Sequence, residues 1–374
     1  MNRRRFVQAG TALVGFVLAA CGAPSGSPAE RSPIDRRGRR WHMPDEGDPH
    51  ERTWMAFAAR EDIWGKDRAP GVQRSLALIA TAIARFEPVS MLVSADQMGR
   101  AKELIGNAPG VTLVAAELDD LWIRDTGPVF VKGDQGLAGV DFNFNGWGNK
   151  QRHTSDARVA GLVTAQARAE VLRTDLVLEG GGIEVDGEGT AIITESCVLN
   201  DNRNPGWTKQ QVEAELSDLL GIDRVIWLPG IKGRDITDGH TDFYARFASP
   251  GVVVAGLDED PESFDYDVTR RHLDILRGAT DAKGRGLTVE VLRTPSTVRE
   301  AYAEDDDFAA GYINFYLCNG AVISPQFGDA ETDGEARATL QRLFPGREVV
   351  QLDIDPIAGG GGGIHCATQQ QPVR

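Results

Sequence analysis

The chain has 374 residues, 41% hydrophobic and 25% charged, a balance that excludes a wholly disordered polymer and supplies apolar surface for a large core. Acidic residues outnumber basic ones 55 to 40, and the formal charge of -15 argues against nucleic acid or another polyanion as partner. The same charge suits a small cationic substrate.

At the N-terminus, Arg3, Arg4 and Arg5 precede Phe6 and an uncharged apolar run to Ala20, too short to serve as a permanent membrane span. The Arg-Arg-x-Phe opening resembles a twin-arginine export signal, and Leu18-Ala19-Ala20-Cys21 resembles a lipoprotein processing box. The expectation is an export signal over 1–20, lipidation at Cys21, and a Pro-, Ser- and Arg-rich tether over 21–40. Residues 41–374 would then be one catalytic domain, held on the periplasmic side of the membrane through its lipid alone. Three cysteines remain beyond Cys21, and in an oxidising compartment an odd number leaves at least one thiol unpaired.

Within that domain, short apolar runs at 89–93, 111–114, 129–131, 225–228, 252–255, 287–292 and 349–354 predict strands. Helices are predicted between several of them. One spans 74–86, with Leu76, Ile79, Ala80 and Ile83 on one face. Another begins at Thr208, whose spacing to Gln211 is that of a capping box, and stops at Gly221. Two more, over about 264–276 and 334–344, stop at Gly278 and Gly346. The alternation defines an α/β class, yet no Gly-x-Gly-x-x-Gly turn follows an early strand, so a dinucleotide fold lacks its signature.

Four segments carry residues suited to chemistry. Trp122-Ile123-Arg124-Asp125-Thr126-Gly127-Pro128 joins an aromatic ring, a cation and a carboxylate at a turn. It admits two accounts: a buried Arg124–carboxylate pair, or Asp125 facing a cationic ligand with the Trp122 ring beside it. Leu178-Glu179-Gly180-Gly181-Gly182 ends a β-like run in an acid. In Thr237-Asp238-Gly239-His240-Thr241-Asp242, an extended chain would point Asp238, His240 and Asp242 to one side, where the carboxylates would raise the imidazole pKa; the other account is a turn with a solvated Asp pair. The glycine run 359–363 presents Ile364-His365-Cys366, a loop on which a cysteine can act as nucleophile. Neither Cys-x-x-Cys nor His-Glu-x-x-His spacing occurs, which disfavours a metal, and no Gly-x-Ser-x-Gly elbow occurs.

Taken together with Asn202-Arg203-Asn204-Pro205, Asn314-Phe315-Tyr316 and Pro325-Gln326-Phe327-Gly328-Asp329, these segments resemble, in order and over about residues 41–371, the agmatine deiminase and bacterial peptidylarginine deiminase family. The resemblance implies a fivefold pseudosymmetric α/β propeller of guanidine-modifying enzymes, with no cofactor and no metal. It implies Cys366 as nucleophile, His240 as general acid and base, Glu179 as the acid partnering that histidine, and Asp125 and Asp242 as the carboxylates gripping a guanidinium. Trp122 would line the substrate site. Three segments depart from the agmatine deiminase pattern: Gly47 stands where an aromatic is usual, Phe57-Ala58-Ala59-Arg60 replaces a Trp-Pro stretch, and 145–150 matches approximately. They bear on the substrate's tail. An ammonium tail would favour acidic or aromatic neighbours such as Trp122, and a peptide carboxylate would favour cations such as Lys150 or Arg152. Agmatine is the favoured substrate, with peptidylarginine and guanidino binding without turnover as alternatives.

Overall fold

A computed structural model describes residues 41–134, 136–305 and 307–374. The export signal, the lipid-acceptor cysteine Cys21 and the tether lie outside the described residues. Within them, seventeen strands form five separate sheets.

Four of the sheets are built to one plan. In Ile183–Val185, Thr190–Thr194 and Arg224–Leu228, the first pair is antiparallel and the second parallel, with the helix Lys209–Leu220 in the crossover. The same plan recurs in Ala245–Ser249, Val252–Leu257 and Thr288–Arg293 around the helix Tyr266–Gly278. It recurs again in Tyr316–Cys318, Ala321–Gln326 and Glu348–Asp353 around the helix Ala330–Leu343. Val129–Gly133, Gly136–Asp141 and Glu170–Arg173 repeat it with Trp41–His42 added at the edge. In the fifth sheet the C-terminal strand Gln369–Pro372 runs antiparallel to His50–Phe57, which continues in parallel to Val89–Val93 and Val111–Ala115. The two ends of the described chain are thereby tied together.

Hydrophobic periodicity explains where the helices lie. Val72, Leu76, Ile79 and Ile83 recur every three or four residues along the helix Glu61–Ile83 and are buried in one cluster with Met55, Phe57 and Met91. The strand Val89–Val93 is buried at every position, as a parallel strand covered on both faces must be.

The predicted strands and helices are all present, with shifted ends. The helix expected over 74–86 starts thirteen residues earlier, at Glu61. Gly65 leaves helical dihedrals (φ 73°, ψ 157°), and Pro70 sits in the first turns of the regular part, where its missing N–H costs least. The helix expected over 334–344 begins at Ala330, because the Asp329 side chain accepts hydrogen bonds from the N–H groups of Glu331 and Thr332. The capping box at Thr208 and Gln211 is formed, and Gly221 closes its helix in the left-handed region, φ 69°.

Candidate active site

Cys366 lies buried just before the C-terminal strand, and close packing of the glycine run fixes its position. A Cβ on Gly360 would strike the Trp64 ring, one on Gly362 the Trp122 ring, and one on Gly363 the Asn314 amide. Only glycine lets this loop lie against those surfaces. Asn314 then holds the nucleophile at both ends: its Oδ1 accepts from the Cys366 N–H at 3.3 Å, and its Nδ2 donates to Sγ at 3.2 Å.

Asp125 comes from the single helical turn Ile123–Thr126. Oδ2 accepts from the Trp147 indole at 3.0 Å and Oδ1 from the Gly181 N–H at 3.1 Å. The preceding residue points the other way, since Arg124 is buried and donates to Glu46 Oε2 at 2.9 Å. The account of a buried Arg124–carboxylate pair therefore holds, with Glu46 as the carboxylate.

The chain from Asp238 to Asp242 is not extended. Asp238 has φ 63° and Gly239 φ 90°, and Thr241–Phe243 forms a 3-10 turn. The expectation that Asp238 would share a side with His240 is thus corrected: its carboxylate turns away to Lys150 at 2.7 Å and to Arg203 at 2.7 Å. His240 and Asp242 do converge. A Cβ placed on Gly181 would lie 2.6 Å from His240 Nδ1, 2.9 Å from Asp125 Oδ1 and 3.1 Å from Asp242 Oδ2, so the bare glycine is the floor of a cradle walled by one imidazole and two carboxylates. His240 Nδ1 and Asp242 Oδ1 are buried there with no hydrogen-bond partner. Cys366 Sγ stands 3.5 Å from Asp242 Oδ2.

Behind the cradle each wall is anchored. Glu179 lies 3.4 Å from His240 Nε2 and accepts from Arg203 Nε at 2.8 Å. Asp242 Oδ2 takes a 2.7 Å hydrogen bond from His365 Nδ1, whose Nε2 is 2.8 Å from Glu46. Glu46 also accepts from Arg246 at 2.8 Å.

These contacts set the charges. Burial alone would strip His240 of its proton, yet Asp125, Cys197 and Glu179 together raise its pKa well above the ordinary imidazole value. Glu179 is held down at about 2, because Arg203 and the imidazole outweigh its burial. Burial, with Asp242 and Glu179 adding to it, pushes the Asp125 carboxyl up. The Cys366 thiol is pushed well above its usual range by burial and by the carboxylates Asp242 and Asp125.

A cavity of about 240 Å³ opens onto Cys366, lined among others by Trp64, Trp122, Trp147, Asp120 and Asp125. Trp122 is among these lining residues, and Lys150 and Arg152 are not: Lys150 is paired with Asp238, and Arg152 with Asp119 and Asp62. The one cation among the described lining residues, Arg68, is paired with Asp305 at 2.9 Å. Cys197, Cys318 and Cys366 are all free thiols. Glu46, Asn314, Trp147 and His365 were not singled out from the sequence as site residues. Asn314, His365 and, within 145–150, Trp147 lie inside the segments that resemble the family, while Glu46, beside Gly47, carries no local signal of its role.

The chain is an α/β protein of five mixed sheets that brings together a buried thiol, an imidazole and two carboxylates. The chain belongs to the family of Porphyromonas-type peptidyl-arginine deiminases, whose family model matches residues 42–372. Among its relatives, the agmatine deiminase of Stutzerimonas stutzeri is 41% identical over 355 residues, 89% of this chain and 96% of that one. The agmatine deiminase of Enterococcus faecalis, solved as it catalyses its reaction, superposes with a TM-score of 0.83 at 35% identity, covering 89% of this chain and 96% of that one. A C. jejuni agmatine deiminase with a cysteine replaced by serine and substrate bound gives 0.80 at 25% identity, over 90% and 97%.

Proposed function

We propose that this chain is an agmatine deiminase, hydrolysing the guanidino group of agmatine to N-carbamoylputrescine and ammonia. The observation that carries this reading is the cradle over Gly181, where unpartnered buried atoms of His240 and Asp242 meet Asp125 beside the Cys366 sulfur. A guanidinium is a planar cation with N–H donors at its rim, so two carboxylates can orient its central carbon toward a nucleophile. Agmatine is supported by the relatives named for it and by a cavity lined by indole rings and the carboxylates Asp120, Asp125 and Asp307, in which Arg68, the one cation among the described lining residues, is already paired, a setting for an ammonium tail.

The charges describe the sequence of events. Without substrate, burial and the carboxylates Asp242 and Asp125 favour the thiol form of Cys366. A bound guanidinium neutralises them, reverses the local potential, and lets the thiol proton leave to solvent. The thiolate adds to the guanidinium carbon, the imidazolium of His240 protonates the departing amine, and ammonia leaves a covalent thiouronium. Neutral His240 then takes one proton from water as the oxygen adds to the same carbon; as the carbon–sulfur bond breaks, the remaining hydroxyl proton passes to the departing sulfur, which restores the Cys366 thiol and frees the ureido product. Glu179, fixed by Arg203, keeps the imidazole oriented throughout.

We read the five sheets as blades of a fivefold pseudosymmetric propeller, since each contains at least one antiparallel and at least one parallel pair and the C-terminal strand completes the sheet that begins with His50–Phe57. Following the sequence, we also place the enzyme at the periplasmic face on a lipid at Cys21, and Cys21→Ser is expected to move it from the membrane fraction to the soluble one. Activity is tested by ammonia release from agmatine, free arginine and a peptide ending in arginine, with Cys366→Ala as control. Cys366-dependent turnover of agmatine is expected. Turnover of the peptide alone would replace the substrate, and no turnover of any would overturn the reading.

A further inference from the structure

On the face of the His240 ring turned away from the cradle, three donor atoms converge. His240 Nε2 and Cys197 Sγ each lie 3.4 Å from the same oxygen, Glu179 Oε2. All three donors fall within 4.8 Å of one another, and all three side chains are buried. The proton transfers described above need His240 and Glu179 but give the Cys197 thiol no task.

A tetrahedral zinc ion, with bonds of about 2.05 Å to nitrogen, 2.1 Å to oxygen and 2.3 Å to sulfur, has an N···O edge of about 3.4 Å and an S···O edge of about 3.6 Å. The two corresponding edges observed are both 3.4 Å, close to two edges of one face of such a tetrahedron, and the third, N···S, lies within 4.8 Å. There is room beside it. A Cβ on Gly182 would sit 3.5 Å from Leu178 Cδ1, 3.6 Å from Cys197 Sγ and 3.7 Å from His240 Cδ2, ordinary contact distances, which leaves a methyl-sized space against the sulfur donor and the carbon edge of the imidazole. Arg203 grips Glu179 through its other oxygen, Oε1, so Oε2 can serve an ion without releasing the arginine.

We propose that Glu179, Cys197 and His240 form a binding site for a soft divalent cation such as zinc or cobalt, and that its occupation silences the enzyme. Binding releases two protons, one from the Cys197 thiol and one from Nε2 of the imidazolium, and forms metal–sulfur and metal–nitrogen bonds in their place; Glu179 binds as the carboxylate it already is. With Nε2 on the metal, His240 cannot act as the imidazolium that protonates the leaving amine. This silencing rests on the role of His240 proposed above, whereas the metal site does not.

The two parts are tested separately. Cobalt added to full-length Cys366→Ala, which lacks the nucleophile and keeps Cys197, is expected to bind one equivalent and to show sulfur-to-cobalt charge-transfer absorption. That absorption is expected to vanish when Cys197→Ser is added. Its absence from Cys366→Ala, or its survival in the double variant, overturns the site. For silencing, zinc is titrated against turnover with each protein compared to its own metal-free rate, and Cys197→Ser is expected to need at least about tenfold more zinc than the parent, the least that loss of a direct ligand should cost. Cobalt binding at Cys197 with turnover untouched by zinc would leave the site standing and overturn the silencing.

Discussion

Asp125 is the wall of the cradle whose charge is hardest to keep. Burial raises its carboxyl, the neighbouring Asp242 and Glu179 raise it further, and the His240 cation only partly offsets them. A guanidinium binds the ionised form. The affinity of the free enzyme should therefore fall with decreasing pH beginning above the ordinary carboxylate range, and kcat/KM for agmatine should show that acid limb. Asp125→Asn should lower kcat/KM and remove the limb; a limb unchanged in the variant would assign it elsewhere. Gly181 sets the other limit. Its substitution by Ala would put a methyl group 2.6 Å from His240 Nδ1 and 2.9 Å from Asp125 Oδ1, in the space a guanidinium must enter. Gly181→Ala is expected to lower kcat/KM by about 10²-fold or more, the effect of displacing reacting groups by about 1 Å. Steady-state kinetics beside a thermal melt would show whether the loss is one of activity and not of fold.

Among the elements, the helix Lys209–Leu220 is the one whose ends follow most directly from local chemistry. Thr208 accepts from the Gln211 N–H at 3.3 Å while the Gln211 side chain accepts from the Thr208 N–H at 2.9 Å. Thr208→Ala removes half of that exchange at an exposed position. About 1 kcal/mol of stability should go with it, a fall of about 2 °C in melting temperature by calorimetry, with turnover unchanged. This helix was legible because its signals lie within four residues of each end. The helix Ala330–Leu343 was legible only from Gly334 onward, since its cap, Asp329, was grouped with the preceding Pro325–Asp329 segment. The site divides along the same line. Cys366, His240, Asp125, Asp242 and Glu179 announce themselves by residue type beside glycines, whereas Glu46 reaches Arg124, Arg246 and His365 across 78, 200 and 319 positions. No local pattern encodes such a meeting. Where the sequence suggested one-sided Asp238, His240 and Asp242, two consecutive positive φ angles undid the alternation.

Across the whole molecule, charge is buried where the sheets meet, and its pairing couples folding to pH. Glu179 and Arg203 are both fully buried as side chains and 2.8 Å apart. Removing one partner of such a pair strands the other, at a cost of about 3–5 kcal/mol. The pKa of Glu179 sets the pH at which this contribution fades. Its folded value of about 2 lies below the ordinary 4.5, so the carboxylate contributes stability above pH 4.5 that is lost as pH falls toward 2. Asp125 acts with the opposite sign, because a raised carboxyl pKa weakens the fold as pH climbs through and above its ordinary value. On acidification the two therefore oppose each other, and the Glu179 share emerges only by difference. Glu179→Gln should unfold at lower urea than the parent at pH 7, by about 3 kcal/mol, and the gap should narrow as the pH is taken from about 5 to about 3, where the parent carboxylate begins to protonate. Urea midpoints at four or five pH values decide it: a constant gap would mean that the Glu179–Arg203 pair stabilises the fold by packing and hydrogen bonding alone, with its ionisation playing no part.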